Sequence, residues 1–167
     1  MDPRKEVGKI KEESSDHLDR AIGHAWKYFE LHASQRMTLF NYFSALSGLI
    51  VAGIGAAFQA PPKYAFVAAA LGLVLSTVSF IFWKLDQRAS FLVKHAEEVH
   101  AVLEASAFEK AKLFTDEPSK FYTASTASGW LLRPWTYGRS FRLLFCLMGL
   151  AGLLAAVFSI FRLTGFY

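Results

Sequence analysis

The sequence predicts an all-α, multi-pass helical membrane protein: a transmembrane hairpin with long cytoplasmic helical extensions, followed by a third, C-terminal span. The first observation behind this prediction is the distribution of charge. Three windows contain no Asp, Glu, Lys or Arg, and they are Met37–Pro62, Tyr64–Trp83 and Leu143–Phe161. Because a helix rises ~1.5 Å per residue, about 20 residues cross a ~30 Å hydrocarbon core. Each window is therefore long enough to span a bilayer.

The second observation is where the basic residues lie. Of the 18 Lys and Arg residues, all but Lys63 and Arg162 fall within residues 1–36 or 84–142. Basic residues concentrate on the cytoplasmic side of membrane proteins. The N-terminus is therefore expected in the cytoplasm, with a short turn and the C-terminus outside. The net charge of +4 is explained by this topology, so no direct nucleic-acid binding is expected.

The pattern of apolar residues divides the chain into six segments. Two cytoplasmic stretches carry heptad-like apolar seams, which are typical of amphipathic helices that pair with each other or with a neighbouring copy. The seams are Leu18, Ile22, Ala25, Phe29 and His32 in the first stretch, and Leu85, Ala89, Leu92, Ala96, Val99 and Leu103 in the second. Two prolines, Pro61 and Pro62, end the first span in a turn. The segments are a cytoplasmic amphipathic helix (1–36), span one (37–60), span two (64–83), a second cytoplasmic amphipathic helix (84–112), a loop and interfacial segment (113–140), and span three (141–163).

Span one has one face of small and polar residues, and this face has two interpretations. It could pack against spans two and three, because small residues let helices approach closely. Alternatively, several copies could turn it toward a common axis, where it would line a pore. The pore-lining candidates are Thr38, Asn41, Ser44, Gly48 and Gly55.

Polar residues at the ends of the first two spans form a second candidate site. His32 and Arg36 lie one turn apart just before span one, and Arg88 follows span two. They could form the cytoplasmic mouth of a channel. The alternative is that the arginines reach lipid headgroups or pair with Asp86 or Glu30.

Arg88 and His95 also have the Arg-x6-His spacing of the HEPN class of ribonucleases. Such a short pattern is a hypothesis that needs its structural context. The pair is therefore interpreted as structural or gating, and a membrane-tethered HEPN-type ribonuclease is kept as an alternative function.

Other chemistry is not expected from this sequence. The five His residues lack the spacing of metal ligands, so neither a metal site nor a cofactor is predicted. No nucleotide-binding loop, Ser–His–Asp arrangement or pair of catalytic carboxylates is recognisable, so we expect no enzyme. The charge-free spans also argue against an ion-coupled transporter, which normally carries an ionisable residue at mid-membrane.

Three stretches of this sequence resemble a group of small bacterial membrane proteins from antiphage defence loci. They are WKYFELHASQRMTLFNYF (26–43), WKLDQR (83–88) and HAEE (95–98). Within that group the accessory membrane protein of type VI-B CRISPR systems looks most similar, and the Arg88–His95 pair would match its divergent HEPN pattern. The resemblance covers roughly residues 20–105.

The resemblance implies a multimeric pore in the bacterial inner membrane. The expected function is a homo-oligomer, with an eight-fold ring as one possibility, that depolarises or permeabilises the membrane in antiviral defence and enhances an RNA-guided nuclease. The expected partners are copies of the chain itself, membrane lipid and, functionally, that nuclease. A third hypothesis is a passive membrane anchor for a cytoplasmic partner.

Overall fold

A computed structural model describes residues 3–107, 112–127 and 135–164 of the chain. Within these ranges the chain forms four α-helices and one short 3-10 turn, and no strand. The helices are α1 (Pro3–Gln59), α2 (Ala65–Ala107), α3 (Leu113–Ala127) and α4 (Tyr137–Leu163), and the turn is Pro62–Tyr64. The predicted all-α fold is confirmed, and three of the helices, α1, α2 and α4, are long and apolar enough to cross a membrane.

Two of the predicted boundaries between a cytoplasmic helix and a span do not interrupt the backbone. Helix α1 continues through residues 36 and 37, and α2 continues through residues 83 and 84. Neither junction contains a proline or glycine that would break the hydrogen-bond ladder, so the change from charged to apolar side chains leaves the helix intact.

The chain divides into two compact units. The charged unit comprises Met1–Ser34 and Phe91–Pro134, and the apolar unit comprises Gln35–Ser90 and Trp135–Tyr167. The sequence pattern explains this division, because the first unit holds the amphipathic segments and the second holds the three charge-free windows.

The apolar unit is a three-helix bundle built from the second part of α1, the first part of α2, and α4. One cluster in its core centres on Phe43, Phe141 and Phe145, and a second centres on Ile50, Ile54 and Leu75. The Phe43 ring meets the Phe145 ring edge to face, with centroids 4.6 Å apart. At the far end of the bundle, Arg162 donates hydrogen bonds to the carbonyl oxygens of Phe58 and Ala60, at 2.8 and 3.0 Å. Arg162 thereby satisfies carbonyls that the end of α1 leaves without a helical partner.

The charged unit has a core of aromatic rings around His100. The buried imidazole of His100 stacks on Phe114, with centroids 4.7 Å apart. Trp26 and Phe29, both on α1, meet the same imidazole edge-on. The predicted seam of α1 is partly buried throughout: Leu18, Ile22, Ala25, Phe29 and His32. On α2 the predicted seam is only partly right, because Val99 is exposed while Val93 and His100 are buried.

Helix α3 corrects the prediction of a loop and interfacial segment over residues 113–140. Residues Leu113–Ala127 are helical despite Pro118, which lies early in the helix. The carboxylate of Glu104 explains why a helix starts here, because it accepts hydrogen bonds from the backbone N–H groups of Leu113, Phe114 and Thr115. A negative charge that binds the first free N–H groups stabilises a helix N-terminus. The end of this segment, residues 130–137, was predicted to lie at the level of the lipid headgroups, and residues 130–134 of it lie outside the described residues.

Replacing Glu104 by alanine is expected to unfold much of α3 and to lower the free energy of unfolding by about 1–3 kcal/mol, because three N–H groups lose their acceptor. Circular dichroism would show the loss of helix, and thermal unfolding would show the loss of stability. Glu30→Ala is the matched control, since that exposed carboxylate lies in the same unit. Equal unfolding midpoints for the two variants would contradict the capping role of Glu104.

Candidate functional site: a buried carboxylate and an outward-facing polar helix surface

The apolar unit contains a buried carboxylate that joins its three helices. The side chain of Asp86, on α2, is only 4% exposed. Its Oδ1 accepts a hydrogen bond of 2.7 Å from Nε of Arg36 on α1. Its Oδ2 lies 3.6 Å from Nε of Arg142 on α4. A buried carboxylate is costly unless it is paired, so this cluster links the three helices through one charge.

The surroundings of Arg36 fit its guanidinium closely. Its side chain is 14% exposed and lies over the ring of Phe141, with Cζ 5.4 Å from the ring centroid. A Cβ atom at Gly138 would come within 3.0 Å of Nη2 of Arg36, so the glycine leaves room for the guanidinium. Nη2 of Arg36 and Oδ2 of Asp86 are buried and make no hydrogen bond to another described residue. The two arginines and one carboxylate carry a net charge of +1.

The sequence predicts a role for Arg36, and offers Asp86 as one of its partners, but it predicts no role for Arg142. Pairing with Asp86 or Glu30 was one of the interpretations of Arg36, and the structure places the guanidinium on Asp86. One pattern in the sequence could have indicated the cluster. Each of the three charged residues lies within three positions of the cytoplasmic end that is predicted for one apolar window.

The small residues of spans two and three pack against each other. A Cβ atom at Gly72 would lie 2.5 Å from the carbonyl oxygen of Gly152, and one at Gly152 would lie 2.6 Å from that of Gly72. The hydroxyl of Ser76 donates a 2.8 Å hydrogen bond to the carbonyl oxygen of Gly149. Such close approach needs glycine on both helices.

The pore-lining candidates of span one lie elsewhere. Four of them are exposed and Gly55 is partly exposed, and nothing lies within 4 Å of a Cβ atom built on Gly48 or Gly55. The face of α1 that packs inside the bundle is a different one, formed by Phe43, Ser47, Ile50, Ile54 and Ala57. The residues of the outward-facing small face are Thr38, Asn41, Ser44, Gly48, Ala52 and Gly55.

The outward-facing small face differs from the other outward surfaces of the apolar unit. Helix α4 exposes long aliphatic and aromatic side chains, and α2 does the same. Among these side chains are Leu73, Phe80, Leu150, Leu154 and Phe161. Lipid tails solvate such side chains well, whereas they offer no hydrogen-bond partner to an amide such as that of Asn41. Because its residues are exposed, the small face of α1 does not pack against spans two and three.

The remaining predicted site residues are Arg88, His95 and His32. Arg88 is exposed on α2, in the apolar unit, and His95 is exposed in the charged unit, where its ring lies parallel to that of Phe91 with centroids 6.4 Å apart. His32 packs edge-on against Tyr28, with centroids 4.3 Å apart. The HEPN-like role of Arg88 and His95 and the mouth role of His32 and Arg36 stay predictions. No group of three or more potential metal ligands occurs among the described residues.

Comparison with known proteins identifies the family. A protein of Escherichia coli named CD-NTase-associated protein 19 is 43% identical over 145 residues, which are 86% of this chain and 93% of that protein. This chain belongs to the CD-NTase-associated protein 19 family. No protein-family model and no solved structure matches the chain.

Membership of the CD-NTase-associated protein 19 family confirms part of the resemblance. The expected class, a bacterial antiphage-defence protein, is confirmed. The finer assignment to the accessory protein of type VI-B CRISPR systems is not supported, because the relative is named after a CD-NTase and not after an RNA-guided nuclease.

Proposed function

We propose that this protein is a homo-oligomeric inner-membrane pore that permeabilises or depolarises the membrane in antiphage defence. The observation that carries the proposal is the outward-facing small face of α1. In a single copy this face meets lipid, yet it contains Asn41, Ser44 and Thr38 in place of the aliphatic side chains found on α2 and α4.

The physical argument concerns what covers this face. An exposed amide such as that of Asn41 gains from a polar partner that hydrocarbon cannot supply, whereas the hydroxyl of Ser44 already donates a 2.9 Å hydrogen bond to the carbonyl oxygen of Phe40. When several copies turn the face toward a shared axis, neighbouring helices or water supply that partner. The small side chains at Gly48, Ala52 and Gly55 also leave space along the axis that larger residues would fill.

The orientation of the proposed pore follows from charge. With the basic residues inside, the N-terminus and the charged unit lie in the cytoplasm, and the Pro62–Tyr64 turn lies outside. No part of this function requires catalysis by the chain, so we propose that it is not an enzyme.

The trigger that we propose differs from the one implied by the CRISPR resemblance. The relative's name links that protein to a CD-NTase, within the antiphage defence called CBASS. We therefore propose that this pore acts in a CD-NTase system, and that its functional partner is the CD-NTase and not an RNA-guided nuclease.

Dye release from liposomes tests the pore. The purified chain is expected to release a small dye, and Ala52→Leu is expected to reduce release to near background, because it places leucines along the proposed axis. Ala151→Leu is the matched control, since Ala151 is also exposed but lies on the aliphatic surface of α4; this variant should release dye like the unmodified chain. Liposomes that stay tight, with a chain that runs as a monomer in detergent, would contradict the proposal.

A further inference from the structure

We propose that the charged unit carries both halves of a head-to-tail contact between copies, in which a stripe on α2 of one copy fills a groove beside α3 of the next. The inference rests on the proposed homo-oligomer and specifies the surface that would assemble it. The stripe and the groove both consist of residues of the charged unit.

The groove lies between α3 and Trp26 of α1, and it has a volume of about 620 Å³. Most of its lining is apolar, from Trp26, Leu113, Phe114 and Phe121, and Glu117 and Lys120 add opposite charges. Leu113 is 76% exposed and Trp26 is 49% exposed, so the groove opens to the surface. An amphipathic helix docks in an apolar groove of this type through side chains that recur once per helical turn.

The stripe runs along α2 on the side opposite to its buried residues. Phe91, His95, Glu98 and Val102 follow steps of four, three and four, which place them on one helix face. All four are exposed, and Phe91 and Val102 are 67% and 71% exposed. The buried face of the same segment consists of Val93, Ala96, His100 and Glu104. The unit therefore leaves uncovered a helix face that carries two large apolar side chains, Phe91 and Val102.

Charge complementarity selects a second copy as the occupant. Along α2 the stripe and its edge present Lys94 and then Glu98, whereas along α3 the groove presents Glu117 and then Lys120. Each pair is separated by about one helical turn. If the stripe lies parallel to α3, Lys94 meets Glu117 and Glu98 meets Lys120. The antiparallel arrangement would bring like charges together.

Lys120 already has a partner on its own helix, at 3.5 Å from Asp116. Both side chains of that pair are exposed, and exposed ion pairs one helical turn apart contribute little to the free energy of unfolding. Lys120 is therefore free to turn toward Glu98 of a neighbouring copy.

A contact of this kind can close a ring. Because the stripe and the groove are different surfaces, each copy offers a free stripe on one side and a free groove on the other, and such heterologous contacts close into rings when the rotation permits. His95 then becomes an interface residue, packed with Phe91 against the groove of the next copy.

Cysteine cross-linking between differently tagged copies tests the contact. In full-length chains that carry Cys146→Ser, one copy has Glu98→Cys and the other has Lys120→Cys, and the two are co-expressed in membranes and oxidised. The mixture is expected to give a cross-linked dimer that carries both tags, while either variant alone gives none. Asp19→Cys, exposed on α1 outside both surfaces, replaces Glu98→Cys in the control mixture and should not cross-link. In parallel, Glu98→Lys and Lys120→Glu should each reduce oligomer formation severalfold, and the double variant should restore it.

The outcomes separate this contact from the proposed pore. Cross-linking of Glu98→Cys copies to themselves would show a two-fold contact and overturn the head-to-tail arrangement. Oligomers that release dye but give no mixed cross-link would also overturn the head-to-tail contact, and they would leave the proposed pore function standing. A chain that is monomeric in light scattering under all conditions would overturn both proposals.

Discussion

Replacing Asp86 by alanine is expected to be among the most damaging single substitutions in this chain. Two arginines would lose the carboxylate that they share, and the buried guanidinium of Arg36 would keep its charge without a partner. Removing one member of a buried ion pair costs about 3–5 kcal/mol. This is a large fraction of the ~5–15 kcal/mol by which a typical domain is stable. We expect an aggregated or proteolysed protein, measured as loss of a monodisperse peak in detergent and a lower unfolding temperature.

The neighbourhood of Asp86 supplies the controls. Arg88→Ala removes an exposed charge two residues away on the same helix and should change stability by no more than about 0.5 kcal/mol. Asp86→Leu combined with Arg36→Met should recover part of the lost stability, because apolar residues of similar size can replace a buried ion pair. If Asp86→Ala unfolded at the same temperature as Arg88→Ala, the carboxylate would have no role in holding the helices together.

The three apolar helices could be predicted from the sequence because hydropathy is a local property. Whether a window of about 20 residues lacks charge can be read without knowing its neighbours. The turn at Pro61 and Pro62 was equally readable, because proline restricts its own backbone and that of the residue before it.

Helix α3 and the contact of Arg142 with Asp86 were not predicted, and pairing of Arg36 with Asp86 was only one of several interpretations, because these features depend on side chains from distant parts of the chain. The free backbone N–H groups at the N-terminus of α3 donate hydrogen bonds to Glu104 of α2, so no local capping pattern indicates where α3 begins. Likewise, Arg36, Asp86 and Arg142 are widely separated in sequence, and only helix packing brings them together.

The small-residue faces illustrate the same limit. All three spans carry glycine and serine at helical spacing, so the pattern alone could not separate faces that pack from a face that stays open. The structure separates them, because Gly72 and Gly152 are in backbone contact while Gly48 meets nothing.

Two glycine substitutions of identical chemistry are therefore expected to affect different properties, the stability of the fold in one case and the association of copies in the other. Gly152→Val would force its Cβ against the carbonyl oxygen of Gly72, at 2.6 Å, and against the backbone of Ser76, at 3.0 Å. Backbone atoms cannot move aside as a flexible side chain can, so α2 and α4 must separate. Overpacking of this kind costs about 1–3 kcal/mol and occasionally more. Thermal unfolding in detergent should show a clear decrease in the unfolding temperature of this variant.

Gly48→Val is the matched variant, and it should leave the fold unchanged because nothing lies within 4 Å of the added Cβ. If copies approach one another through the outward-facing small face, the added valine should instead reduce oligomer formation and dye release. A stability loss equal to that of Gly152→Val would mean that Gly48 is buried within a single copy, and the outward orientation of this face would be wrong. Normal stability together with full dye release would mean that the face lines no pore, because a valine on that axis must narrow it.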